Sequence, residues 1–229
     1  MASLLRQLWR EAVLVVGWPH LVVPLVGIAA LADLLAMPAG QRDAGTALRT
    51  MELLLPVTAG VLAADAPARE FVDGAVDWRL ALPGGPLRLL AVRVMAALGL
   101  WAIFATAIAV LTWMLYLAPA AVVPAGTAAA FAEDAVALLL PPALFFGSLG
   151  VAGTLLVRNA AGGMTAALGF WAANWASRGR ATGPFHVLAY QAPLPDLSYA
   201  ASRWWLLAGA VMLMAGLAAF YRAGERWLR

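Results

Sequence analysis

The residues most able to do chemistry are gathered in one stretch. Between Asp65 and Arg93 lie four of the twelve acidic residues and four of the fifteen basic ones, in a chain that is otherwise almost continuously apolar. Most of this stretch is too highly charged to lie in lipid. Within it, Gly74 to Leu82 reads as a short helix with Val76, Leu80 and Ala81 on one side and Asp73, Asp77 and Trp78 beside them. The run Pro83-Gly84-Gly85-Pro86 stops that helix, because proline removes a donor and blocks the preceding turn while glycine frees the backbone. A short polar helix between two apolar segments suits two tasks: an inert connector, or a surface on which another protein docks.

Absent residue types remove other chemistries. All fifteen cationic side chains are arginine, so no lysine completes a phosphate-cradling Gly-x-x-x-x-Gly-Lys-Ser/Thr loop or forms a Schiff base. With no cysteine there is no thiolate, disulfide or cysteine metal site. The two imidazoles, His20 and His186, stand far apart in sequence. No carboxylate pair, histidine cluster or nucleophile-base set appears at usable spacing, which argues against a membrane enzyme. A pI near 9.9 first suggests nucleic acid, but the net charge is only +3 and the densest basic cluster is the tail from Arg222 to Arg229. Flanking charges that orient a membrane protein explain it better.

The order of residues in the polar stretch carries a resemblance. Glu70, then Gly74-Ala75, an apolar-rich segment ending in Leu82-Pro83, and a basic Arg93 opening the next apolar run resemble the first cytoplasmic loop of ABC-2-type (type 2) ABC transporter permeases. Ala75 stands where that family usually has Thr, and Arg93 where Lys is common. The terminal Tyr-Arg-Ala-Gly-Glu-Arg-Trp-Leu is similar to the basic, Glu-Arg-containing ends of these permeases. The resemblance implies that the loop is a coupling helix, with Glu70, Asp73, Gly74, Asp77, Trp78 and Arg79 docking on a separate ATP-hydrolysing subunit. It also implies that no cofactor is held by this chain, ATP and Mg²⁺ being bound by the partner. A second permease copy or paralogue would complete the translocation pathway. Spans two and five would line that pathway, which makes Thr58, Trp171, Asn174 and Trp175 candidate cargo contacts.

The elements that must position this loop are membrane helices. At 64% hydrophobic, 12% charged and a mean hydropathy of +0.85, the composition is that of an all-α integral membrane protein. The apolar runs have helical length and no strand-like alternation, and 229 residues leave room for about six spans at about 20 residues each. Residues 2–16 place Leu4, Leu5, Leu8, Trp9, Ala12, Val13 and Val16 opposite Arg6, Gln7, Arg10 and Glu11, predicting an amphipathic interfacial helix. Six spans follow at 19–37, 51–65, 87–117, 135–157, 160–176 and 203–221, with 66–86 as the coupling loop, all in a single transmembrane domain. Pro24 should kink the first span, and Pro141-Pro142 should break or kink the fourth near its start. Gly147, Gly150 and Gly153 recur every three residues, a spacing that lets helix backbones approach closely. Asn174 should face protein or a cavity unless it lies at the outer interface. Asp33, costly within a span, calls for a partner such as Arg49, and Glu52 is placed near the outer end of span two. The polar segment 177–201 should form short helices or a re-entrant turn at the outer surface.

Six spans place both termini on one side. Assigning them to the cytoplasm puts Arg6, Arg10, Arg69, Arg79, Arg88, Arg93, Arg158, Arg222, Arg226 and Arg229 inside, against Arg42, Arg49, Arg178, Arg180 and Arg203 outside, as the positive-inside rule expects. The expected protein is therefore a multi-pass cytoplasmic-membrane permease subunit of an ATP-driven exporter, with both termini and the coupling loop cytoplasmic. Two alternatives stand beside it. The haem-exporter membrane subunit of cytochrome c maturation has a similar Asp-Gly and Leu-Pro loop. An ATP-independent secondary transporter would need mid-membrane carboxylates, and Asp33 and Glu52 map near span ends instead.

Overall fold

The computed structural model describes residues 19–38, 41–72, 85–120, 127–190 and 193–227. Within them the chain is helical: α1 (Pro19–Ala36), α2 (Ala44–Val72), α3 (Gly85–Thr112), α4 (Thr127–Val157), α5 (Ala160–Ser177) and α6 (Tyr199–Trp227). The last turns of α3 widen into a π segment, Trp113–Leu117, and close in a 3-10 turn, Ala118–Ala120. Between α5 and α6 lie a 3-10 turn at Gly183–Phe185 and an isolated bridge between Leu194 and Leu197. Among the described residues there is no strand. The expected interfacial helix at 2–16 lies outside the described residues.

Among the described residues, four segments are long and apolar enough to cross a membrane: Ala44–Ala68, Leu87–Leu117, Glu133–Val157 and Tyr199–Phe220; Leu21–Ala36 in α1 is a shorter apolar helix. The outward face of the bundle is what lipid requires. Ile28, Met95, Ile103, Val211 and Phe220 are each more than half exposed, an array that water would penalise and acyl chains would solvate.

Three helices depart from the sequence reading; α6, expected over 203–221, runs from Tyr199 to Trp227. α2 was expected over 51–65 and instead runs from Ala44 to Val72, 29 residues, through Pro56 and Pro67. Its start is fixed by Asp43, whose carboxylate accepts the Thr46 backbone N–H at 2.8 Å and the Thr46 hydroxyl at 2.5 Å, satisfying donors that a helix start leaves open. Those bonds, the side-chain one foremost, hold the Asp43 carboxyl below its ordinary pKa. α4 likewise begins eight residues before the expected start and passes through Pro141-Pro142 without ending. With no water in lipid to take over freed backbone groups, continuing the helix costs less than opening it.

The core is built on α2, α4 and α5. α4 and α5 form a hairpin: Arg158 takes a left-handed conformation (φ 57°) at the turn, and the Asn159 side chain accepts from Ala161 N–H at 3.0 Å to cap α5. The three helices meet at glycines. A Cβ on Gly150 would lie 2.2 Å from the Gly60 carbonyl oxygen, and one on Gly163 would lie 2.2 Å from the Gly150 oxygen. α2 and α4 therefore run in parallel at backbone contact, and α5 returns antiparallel between them. The expected close packing at Gly147, Gly150 and Gly153 is what the structure has: Gly150 meets Gly60 and Gly163, Gly153 meets Gly162 and Gly163, and Gly147 meets the Leu98 side chain of α3.

The prolines of α2 reinforce this packing. Proline's ring pushes against the preceding turn and opens the helix on that side. Three residues before Pro56, the Leu53 carbonyl accepts Trp171 Nε1–H of α5 at 2.7 Å. Three residues before Pro67, the Ala64 carbonyl accepts the Thr154 hydroxyl of α4 at 2.9 Å. Both prolines thus sit beside a carbonyl that ties α2 to a neighbouring helix.

Candidate functional site

Most of the docking residues expected from sequence, namely Asp73, Gly74, Asp77, Trp78 and Arg79, lie outside the described residues; Glu70 lies on α2, its backbone helical. Helix therefore extends through residues 66–72, which the sequence reading had given to the loop. The loop joins Val72 to Gly85, the ends of two antiparallel helices: Leu90 and Val94 of α3 pack with Ala63 and Ala66 of α2, and Trp101 reaches Leu55 and Thr58. That end of the bundle also carries the Arg158 turn.

The opposite end holds a buried polar cluster. Glu52 lies 20 residues before Val72 on α2, about 30 Å at 1.5 Å per residue, close to the thickness of a hydrocarbon core. Its carboxylate is 2% exposed as a residue and forms a buried salt bridge with Arg203, in the second turn of α6. Glu52 Oε1 also accepts the Tyr190 backbone N–H at 3.1 Å, and Arg203 Nη1 donates to the Val187 carbonyl at 3.1 Å. The guanidinium lies 4.6 Å from the Tyr199 ring centroid. One ion pair thus fastens α2, α6 and the segment between α5 and α6. Its members are 151 residues apart.

A second group adjoins it. Asn174, fully buried near the C-terminus of α5, donates through Nδ2 to Thr182 Oγ1 at 2.5 Å and lies with Oδ1 3.1 Å from His186 Nδ1. The His186 ring packs on Gly179 (φ 81°), where an added Cβ would sit 2.2 Å from Nδ1. Here glycine is required twice, by its backbone conformation and by the ring against it.

The four residues proposed to contact cargo separate. Thr58 is buried, donates to the Leu55 carbonyl at 2.5 Å and accepts Trp101 Nε1–H at 3.1 Å, so it faces α3. Asn174 faces protein, as expected of a buried amide. Trp171 is half-buried and bonded to Leu53, and its ring stacks on Trp175, centroids 6.0 Å apart and planes 7° apart. Trp175 is 55% exposed. Trp171, Asn174 and Trp175 form one group at the C-terminal part of α5; Thr58 belongs to a separate contact.

Asp33 is exposed and, among the described residues, has no ion-pair partner; the expected pairing with Arg49 does not form. Arg49 instead lies 6.0 Å from the Tyr190 ring centroid. The Glu52–Arg203 pair was not anticipated, although its signal was present: opposite charges inside two apolar runs, both mapped to the outer level, each costly unless joined. Arg49, one turn from Glu52, was the competing cation. Among the described residues, no group of three or more His, Asp or Glu side chains is arranged to hold a metal ion. Comparison with protein-family models, with curated proteins and with solved structures finds no match to this chain.

Proposed function

We propose that this chain is the transmembrane permease subunit of an ATP-driven exporter of the ABC-2 type, crossing the cytoplasmic membrane six times with both termini inside. A second permease chain completes the pathway, and a separate ATPase binds ATP and Mg²⁺. The observation that carries the reading is the order Glu70, Gly74-Ala75, Leu82-Pro83, Arg93 in the connection between two long apolar helices. The position of that connection supports it: α2 and α3 deliver the loop to the end of the bundle opposite the buried Glu52–Arg203 pair.

This arrangement suits force transmission. α2 is one 29-residue helix, held to α4 and α5 at glycine contacts and by the Thr154 and Trp171 hydrogen bonds. A push on the loop at its C-terminal end would travel along α2 as a rigid body toward the polar cluster about 30 Å away. Closure of two ATPase subunits on ATP would supply the push, and rocking of the helices would open the path outward.

The test uses the intact assembly. The tagged chain, isolated from native membranes in mild detergent, should bring with it a subunit that hydrolyses ATP, and Glu70→Arg or Asp77→Arg should separate hydrolysis from transport while the chain remains folded. An isolated assembly that transports without any nucleotide-hydrolysing subunit, its transport collapsing with the proton gradient, refutes the proposal in favour of a secondary transporter.

A further inference from the structure

A cleft of about 720 Å³ opens beside the C-terminus of α5, lined among the described residues by Trp175, Arg178, Arg180, Leu188, Pro193 and Leu194 together with their neighbours. Its volume is that of a small-molecule site, about 300–1,000 Å³. Its chemistry is split. Leu188, 2% exposed, and the half-buried Leu194 make an apolar floor, while the exposed Trp175, Arg178 and Arg180 stand at the rim beside Pro193 and Pro195. No carboxylate lines it among the described residues, and neither Arg178 nor Arg180 has an ion-pair partner there.

Helix-terminus electrostatics explain one of these cations. Arg178 follows the last turn of α5, where positive charge is favoured, and Gly179 N–H closes that turn on the Asn174 carbonyl at 2.8 Å. The position is left-handed (φ 51°), a conformation that suits glycine and strains arginine, yet the glycine stands one residue later. A guanidinium kept at a strained position, a second one two residues on, an exposed indole and an apolar floor are left to explain together.

We propose that this cleft binds the phosphate of an anionic phospholipid headgroup, with Arg178 and Arg180 on the phosphate oxygens and the glycerol and first acyl carbons against Trp175, Leu188 and Leu194. Arginine's fork matches phosphate geometry. Indoles favour the headgroup level of a bilayer, and α5 ends at the same end of the bundle as the Glu52–Arg203 pair, about one hydrocarbon thickness from the loop. The inference concerns this chain alone and stands whether or not an ATPase drives it.

The test is native mass spectrometry of the purified full-length chain titrated with phosphatidylglycerol, with phosphatidylcholine, and with phosphatidylglycerol in excess inorganic phosphate. The variant is Arg178→Gly with Arg180→Gln; glycine suits φ 51°, so the fold is kept, and circular dichroism checks it. Wild-type protein should retain phosphatidylglycerol over phosphatidylcholine, free phosphate should not displace it, and the double variant should bind it about ten-fold or more weakly, as loss of hydrogen bonds to a charged group predicts. Arg158→Gln, at the other end of α5, should bind as wild type does. Equal retention of the two lipids, unchanged binding by the folded double variant, or displacement by inorganic phosphate, which would mark a site for soluble oxyanions, overturns the proposal.

Discussion

Replacing Gly150 by alanine adds a single methyl where two backbones touch. The new Cβ would sit 2.2 Å from the Gly60 oxygen, 3.0 Å from its carbonyl carbon and 3.2 Å from its Cα. Ordinary contact begins near 3.4 Å, and the obstacle is α2 backbone, which has no rotamer to change. α2 and α4 must separate by about 1 Å, enough to strain the Thr154 hydroxyl bond to Ala64 one turn further along and to loosen the Gly163 contact. Overpacking of this kind costs about 1–3 kcal/mol, and a weakened buried hydrogen bond adds about 1 kcal/mol. Gly99 and Gly169 provide internal controls, since an added Cβ at either meets nothing within 4 Å. Alanine there should be neutral or stabilising by about 0.5–1 kcal/mol through helix propensity. Reversible unfolding in mixed micelles, followed by tryptophan fluorescence and circular dichroism, reads the difference. A Gly150→Ala variant within about 0.5 kcal/mol of Gly99→Ala would refute backbone contact between α2 and α4, and with it the three-helix core.

Other outcomes follow from the same geometry. Glu52→Gln or Arg203→Met leaves one buried charge uncompensated and should destabilise by about 3–5 kcal/mol in the same unfolding assay, whereas the double variant should recover much of the loss; additive costs would mean that the pair is not formed. Asp43 has a depressed pKa, so its stabilisation of α2 is present above about pH 4 and is lost as pH falls through the lower folded-state value. Asp43→Ala should cost about 1 kcal/mol at neutral pH and flatten the acid-side decline in stability, measured as thermal unfolding against pH; an unchanged acid limb would show that the cap contributes nothing.

How much of this was legible in the sequence depends on range. Composition and run length gave the helical membrane class, because lipid permits few other backbones, and the glycines of α4 announced close packing. Which backbones they would meet required the fold: Gly60 is ninety residues before Gly150. The ends of α2 were misplaced because Arg49, Glu52 and Asp65 look like span boundaries by charge, whereas Glu52 is buried by its partner and Asp43 starts the helix. Of the break or kink expected at Pro141-Pro142, the break does not occur, since proline breaks helices most effectively where water can replace the missing bonds. Within the candidate cargo residues, Trp171 and Trp175 lie four apart on one helix and stack as that spacing allows. Thr58 stands on a different helix, α2, and its hydroxyl is occupied by Leu55 and Trp101.

The chain contains no cysteine, so Asp77→Cys creates a unique thiol in the loop between α2 and α3. With a photoactivatable cross-linker on that thiol, the intact assembly should yield a covalent adduct to a nucleotide-hydrolysing subunit, and a membrane-impermeant maleimide should reach the thiol in inverted vesicles but not in intact cells. Labelling from outside intact cells, or an assembly that turns over cargo and gives no such adduct, would contradict the account.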